Sequence, residues 1–141
     1  MKIATKTLSI DTKSPIEIID ITDKVYDFCS KNPVKEGVLL VSSLHTTAAI
    51  RINEACPGLE KDIQIFFERL VPSKSEYSHN QITNDGRPNA HSHLINYLLG
   101  GSESLPVSDG RPVLGTWQRV FFLELDGARN GRNVRLTLIG E

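Results

Sequence analysis

Cysteine is scarce: Cys29 and Cys56 are the only two in 141 residues, too few for a disulfide scaffold. Stability has to come from a buried core. No charge dominates either. Lysine and arginine number 16 against 17 aspartates and glutamates, a net charge of −1. That excludes the basic excess or stripe of a nucleic-acid scaffold. No apolar run approaches the roughly 20 residues that span a bilayer. Met1–Lys6 lacks the apolar stretch of a signal peptide, so a cytoplasmic protein without membrane contact is expected. Missing too are a Walker loop, G-x-G-x-x-G, G-x-S-x-G, H-E-x-x-H and paired-cysteine metal motifs. Repeats, low-complexity tracts and charge blocks are absent. What is present suits one globular domain over residues 1–141, with 39% hydrophobic and 23% charged residues. The chain is slightly apolar-poor, yet at this length it can bury about two-thirds of its unfolded surface.

Periodicity sets out the elements. Ile3–Ile10 and Ile16–Ile19 read as short strands split by Lys13-Ser14-Pro15. Ile21, Val25, Phe28 and Cys29 recur at helical spacing and predict an amphipathic helix starting near Asp20. Gly37–Leu44 is a continuous apolar run of strand length, expected to be buried on both faces. Thr46–Asn53 continues as a second extended segment. Pro57, followed by Glu60 and Asp62, opens a helix whose apolar stripe is Leu59, Ile63, Phe66, Phe67 and Leu70. A third helix is predicted over Ala90–Leu99, stopping at Gly100-Gly101. Pro72–Asn89 and Gly100–Pro112 read as loops, and Val113–Leu125 and Val134–Ile139 as closing strands. Strands bracketing about three helices without βαβ alternation predict an α+β domain with a mainly antiparallel sheet. Val113–Leu125 is apolar on both alternating faces, with Trp117, Phe121 and Leu123 on one and Val120 and Phe122 on the other. Helices or a neighbouring subunit have to cover the second face.

The four histidines are the most informative polar residues. His45 opens His45-Thr46-Thr47-Ala48-Ala49, where hydroxyls and small residues allow a ligand close; the competing reading is a strand end satisfying its own backbone. His79 lies in a polar loop, where histidines are usually solvated but long ordered loops also carry function. On the third helix His91 shares a face with Leu94, Ile95 and Leu98, which fits a packed or capping role. His93 falls on the opposite side with Asn89, Asn96 and Tyr97. If His45, His79 and His93 converge, three neutral imidazoles and a water match an open zinc site. The same groups also suit proton transfer near pH 7. Trp117 in Gly115-Thr116-Trp117-Gln118 reads as a core anchor, and Gln118, pointing the other way, is better placed for a ligand. Arg129, Arg132 and Arg135 could bind phosphate or belong to a solvated hairpin turn. Cys56, ahead of Pro57 at a helix start, and Cys29, on an apolar helix face, both read as structural.

Several blocks taken together carry a resemblance. They are His45–Glu54 (HTTAAIRINE), Tyr77-Ser78-His79, Asn89 with Ser92-His93-Leu94, Leu99-Gly100-Gly101-Ser102, Leu105-Pro106-Val107, Leu114–Gln118 and the ending Leu138–Glu141. In this order, over nearly the whole chain, they resemble the YjbQ-like family of secondary thiamine-phosphate synthase proteins. Arg87-Pro88 ahead of Asn89 is a local departure. The resemblance implies a compact sandwich-like α+β single domain and a homotrimer. It points to His45, His79 and His93, with Glu54 and Gln118 alongside as catalytic candidates. It also implies joining of a pyrimidine diphosphate to a thiazole phosphate, with release of pyrophosphate. A phosphorylated small-molecule substrate and a divalent metal, zinc or magnesium, held by the three histidines, are expected to go with it. The competing readings are a non-catalytic trimeric metal- or anion-binding protein and a metal-dependent hydrolase, since each needs the same polar pocket.

Overall fold

Alternating apolar residues build two antiparallel sheets. The computed structural model describes the whole chain, Met1–Glu141. Its elements are β1 (Lys2–Ile10), β2 (Glu17–Asp20), α1 (Thr22–Lys31), β3 (Glu36–Ser43), β4 (Ala48–Asn53), α2 (Pro57–Leu70) and α3 (Ser78–Gln81). The chain then forms α4 (Ala90–Leu99), β5 (Ser102–Ser108), β6 (Arg111–Pro112), β7 (Arg119–Glu124) and β8 (Arg132–Gly140). One sheet has the order β1-β8-β3-β5-β6, the other β2-β7-β4. Every strand pairing is antiparallel.

The sheets face each other across one core. Leu39, Val41, Leu105, Val107, Leu136 and Leu138 enter it from the larger sheet, and Ile50, Val120 and Phe122 from the smaller. Val25, Phe28 and Cys29 of α1 join them. Behind the smaller sheet, Ala49, Phe121 and Leu123 pack against Phe67 of α2 and Ile95 of α4. The expected sandwich-like α+β domain is the observed one.

Three local expectations are corrected. Gly37–Leu44 is not buried on both faces: Leu39 and Val41 are fully buried, while Val38 and Leu40 are 51% and 40% exposed on the outside of the larger sheet. Gly100–Pro112 is not a loop but holds β5 and β6, hidden from the sequence because only Leu105 and Val107 of β5 point inward. Val113–Leu125 is not one strand. A turn closed by the Gly115 N–H donating to Gln118 Oε1 (2.8 Å) interrupts it, and Trp117 stands 72% exposed rather than anchoring the core. The remaining strand, β7, is buried on both faces within its own chain, so the smaller sheet's second face is covered by α2 and α4. A fourth helix, the single turn α3, carries His79.

Candidate functional site

The strand ladder sets the first histidine. Beyond the end of β3 the Leu44 N–H donates to the Asn133 carbonyl (3.1 Å). The Asn133 N–H donates to His45 Nε2 (2.8 Å), so the imidazole stands where a main-chain acceptor would continue the ladder. A backbone amide only donates. Nε2 is therefore an acceptor, and the neutral ring carries its proton on Nδ1. Burial lowers the His45 pKa, the Arg132 guanidinium lowers it further, and the opposing pull of Glu124 does not cancel them. His45 is a neutral donor.

His93 projects from α4 into the same cleft, which is lined by His45, Thr46, His93, Asn96, Tyr97 and Gly100 and encloses about 400 Å³. Asn96 donates its side-chain N–H to the Ala48 carbonyl (3.0 Å), leaving the amide oxygen as its acceptor. On its other side His93 meets His79 edge-on, ring centres 4.7 Å apart, and both line a second hollow with Tyr77, Ser78 and Leu94. Burial, then the neighbouring His79, lowers the His93 pKa, with Asp126 pulling the other way. His93 is thus the wall common to two hollows. His45 and His79 meet it from opposite hollows, and His91 lines neither.

Beneath the histidines lies a polar layer that the sequence did not announce. Glu124 and Arg132 form a bidentate pair, Nε to Oε2 at 2.8 Å and Nη2 to Oε1 at 2.6 Å, with Thr12 and Thr47 hydroxyls completing it. Asp126 accepts from Arg87 (3.1 and 3.0 Å), Arg129 (2.5 Å) and the Asn89 side-chain N–H (2.8 Å). Asn89 Oδ1 faces His79 Nε2 at 3.0 Å. Arg129 and Arg132 are therefore engaged by carboxylates, and Arg135 donates to the Thr7 hydroxyl (3.1 Å). Of the two readings of these arginines, a phosphate cradle and a solvated hairpin turn, the cradle does not form.

Two sequence-predicted residues stand elsewhere. Glu54 lines an apolar hollow under α2 with Ile63, Phe66 and Phe67, and Gln118 is folded onto Gly115. Neither joins the histidines within the chain. The three-histidine metal set also fails a donor test. His45 Nε2 is occupied by the Asn133 amide and its Nδ1 bears the proton, and no three His, Cys, Asp or Glu side chains are grouped to hold a metal ion. Zinc needs at least three such ligands. Magnesium needs oxygens, and no carboxylate lines the cleft.

Residues 6–141 match the family of UPF0047, YjbQ-like proteins, and the chain belongs to it. A UPF0047 protein of Methanothermobacter thermautotrophicus is 43% identical over 141 residues, 100% of this chain and 95% of the relative. UPF0047 protein YugU of Bacillus subtilis is 37% identical over 125 residues, 88% of this chain and 91% of its own. The crystal structure of a YbjQ-like protein of unknown function from Sulfolobus solfataricus P2 superposes with a TM-score of 0.94 at 36% identity, covering 99% of both chains.

These relatives overturn the expected thiamine-phosphate synthase activity. They are described as UPF0047 proteins or as a protein of unknown function, and none is described as a synthase or transferase. Family membership therefore brings no such reaction to this chain. For location, no helix is long and apolar enough to cross a membrane.

Proposed function

We propose that the His45–His93 cleft binds a small phosphorylated anion and exchanges a proton with it. The observation carrying this reading is the fixed tautomer of His45, whose Nδ1–H cannot serve as a base or a metal ligand while the Asn133 amide holds Nε2. It can only donate, as to a phosphate oxygen. Thr46 adds a hydroxyl, and the absence of any lining carboxylate removes the groups that would repel a phosphate. His93, held neutral by burial, is the proton acceptor that an acidic phosphate hydroxyl needs beside that donor. The metal-dependent hydrolase reading loses its third ligand in this arrangement.

Inorganic phosphate is the probe, titrated into the full chain by calorimetry. We expect millimolar or tighter binding, about 4 kcal/mol at the weak end, with His45→Ala and His93→Ala each weakening it about tenfold and His91→Ala leaving it unchanged. Binding an anion beside His93 raises its depressed pKa, so proton uptake should accompany binding near pH 6.5 and show as a buffer-dependent enthalpy. Equal affinity in the wild type and both histidine variants would sink the reading.

A further inference from the structure

Asn89 sits at the N-cap of α4, a position where asparagine ordinarily bonds the first free amides of its helix. It makes no such bond. The Ala90 N–H is taken instead by the Asn80 side chain (2.9 Å), supplied from α3. The Asn89 amide is thus withheld from capping and spent on two other groups, Asp126 and His79.

Their chemistry fixes its orientation. Burial alone would raise the Asp126 carboxyl, yet hydrogen bonds from Arg87, Asn89 and Arg129 hold it below the ordinary carboxylate range. An ionised carboxylate only accepts. Asn89 therefore turns its NH₂ toward Asp126 and its carbonyl oxygen toward His79, and a carbonyl oxygen accepts only from N–H. We propose that Asp126 and Asn89 are positioning residues that hold His79 as its Nε2–H tautomer, so that Nδ1 keeps the lone pair and is the nitrogen that takes a proton. Asp126 never touches His79; its charge acts through the amide between them.

The result complements His45. There a backbone N–H imposes the Nδ1–H form, and here a carboxylate imposes the Nε2–H form, so the two histidines flanking His93 are set as a donor and an acceptor by independent devices. The use made of the acceptor rests on the anion-binding reading, but the tautomer itself does not.

The test is nitrogen-15 NMR of histidine-labelled full-length protein above pH 7.5, without phosphate, where protonated and unprotonated ring nitrogens have separate resonances. In the wild type His79 should show only the Nε2–H form. In Asp126→Asn the new amide can donate, Asn89 can turn over and present its NH₂ to the ring, and the tautomer ratio should move at least about tenfold toward Nδ1–H, the size of one lost hydrogen bond. Asn89→Leu, which removes the amide, should also admit the Nδ1–H form. His45 is the internal control, since its Nδ1–H signature depends on the backbone and should persist in every folded variant. A wild-type His79 in the Nδ1–H form, or an Asp126→Asn protein with unchanged His79 and intact His45 signals, would overturn the assignment. If a variant does not fold, the wild-type spectrum still decides. Phosphate titration of the same samples separates the two ideas: a correct tautomer without phosphate binding removes the function and leaves the wiring.

Discussion

Arg132 is 4% and Glu124 0% exposed at their side chains, so their pairing is a low-dielectric contact rather than a surface one. Both oxygens of Glu124 are used: Oε1 by Arg132 and the Leu125 and Asp126 amides, Oε2 by Arg132 and Thr12. Such a pair adds little beyond an apolar replacement, but removing one partner strands a charge. Arg132→Ala should destabilise by about 3–5 kcal/mol in urea denaturation, whereas Arg132→Met with Glu124→Leu should recover most of that loss. Burial pushes the Glu124 carboxyl up, but bonds from Arg132, the Asp126 amide and Thr12 outweigh it and leave it below the ordinary range. With the folded pKa depressed, this stabilisation is complete above the unfolded value of about 4.3 and is lost as pH falls through the folded one. His45 and His93, also depressed, add a loss that begins as pH drops below about 6.5, because the unfolded chain takes up those protons first. Stability should therefore be flat between about pH 7 and 8 and fall in two stages on acidification. Burial of the Cys29 thiol, which pushes its pKa up to about 11, adds a loss above about pH 8.5, where the unfolded thiol ionises first. Glu124→Gln should reduce the lower stage, which the depressed Asp126, Asp20 and Asp27 carboxyls share, and an unchanged acid limb in that variant would contradict the assignment.

Among the elements, α4 does most to assemble the cleft, because one short helix carries His93, Asn96 and Tyr97 and ends where the wall ends. It stops at Gly100, whose φ of 87° is open to glycine and costly for other residues. Gly100→Ala should cost about 1 kcal/mol or more of stability and, since Gly100 lines the cleft, weaken phosphate binding in the same preparation. A fully stable Gly100→Ala protein would show that the helix stop is set elsewhere. This helix was legible from sequence to the residue, as its periodicity and its glycine stop are local signals. The face split between His91 and His93 was only half legible: His91 does stay out of both hollows, but Leu94, which the periodicity set beside it, lines a hollow with His93 and Tyr97, and Leu98 is exposed. By contrast β3 was misread: a run of apolar residues looks the same whether its outer side is covered or bare. The wiring of the site was not legible at all. Asn89 and Asp126 are 37 positions apart and His45 and Asn133 are 88 apart, so no spacing rule connects them. The single turn α3 is too short for a periodic signal.

For the whole molecule, the bare side of the larger sheet is the feature to explain. Ile3, Ile139 and Val38 stand opposite one another across β1, β8 and β3, and all three are exposed, with Leu40 beside them. A continuous apolar row of this kind on a monomer is uncommon and marks a contact surface. Of the two covers open to β7, helices or a neighbouring subunit, its own helices α2 and α4 supply it, so the homotrimer implied by the family resemblance would have to be seated on the larger sheet instead. A closed ring of three uses two different patches, one on each side of every interface. Leu94, Tyr97 and Leu98 on the exposed side of α4 offer the second, next to His93. We propose that pairing, which would set a neighbouring copy against the rim of the histidine cleft. Light scattering at micromolar concentration should then give three times the 15.7 kDa chain mass. Val38→Lys with Ile139→Lys should lower that mass, and so should Tyr97→Lys with Leu98→Lys, because each pair charges one side of the same contact. A wild-type monomer would remove the trimer. A trimer insensitive to both pairs would keep the assembly and place its interface elsewhere.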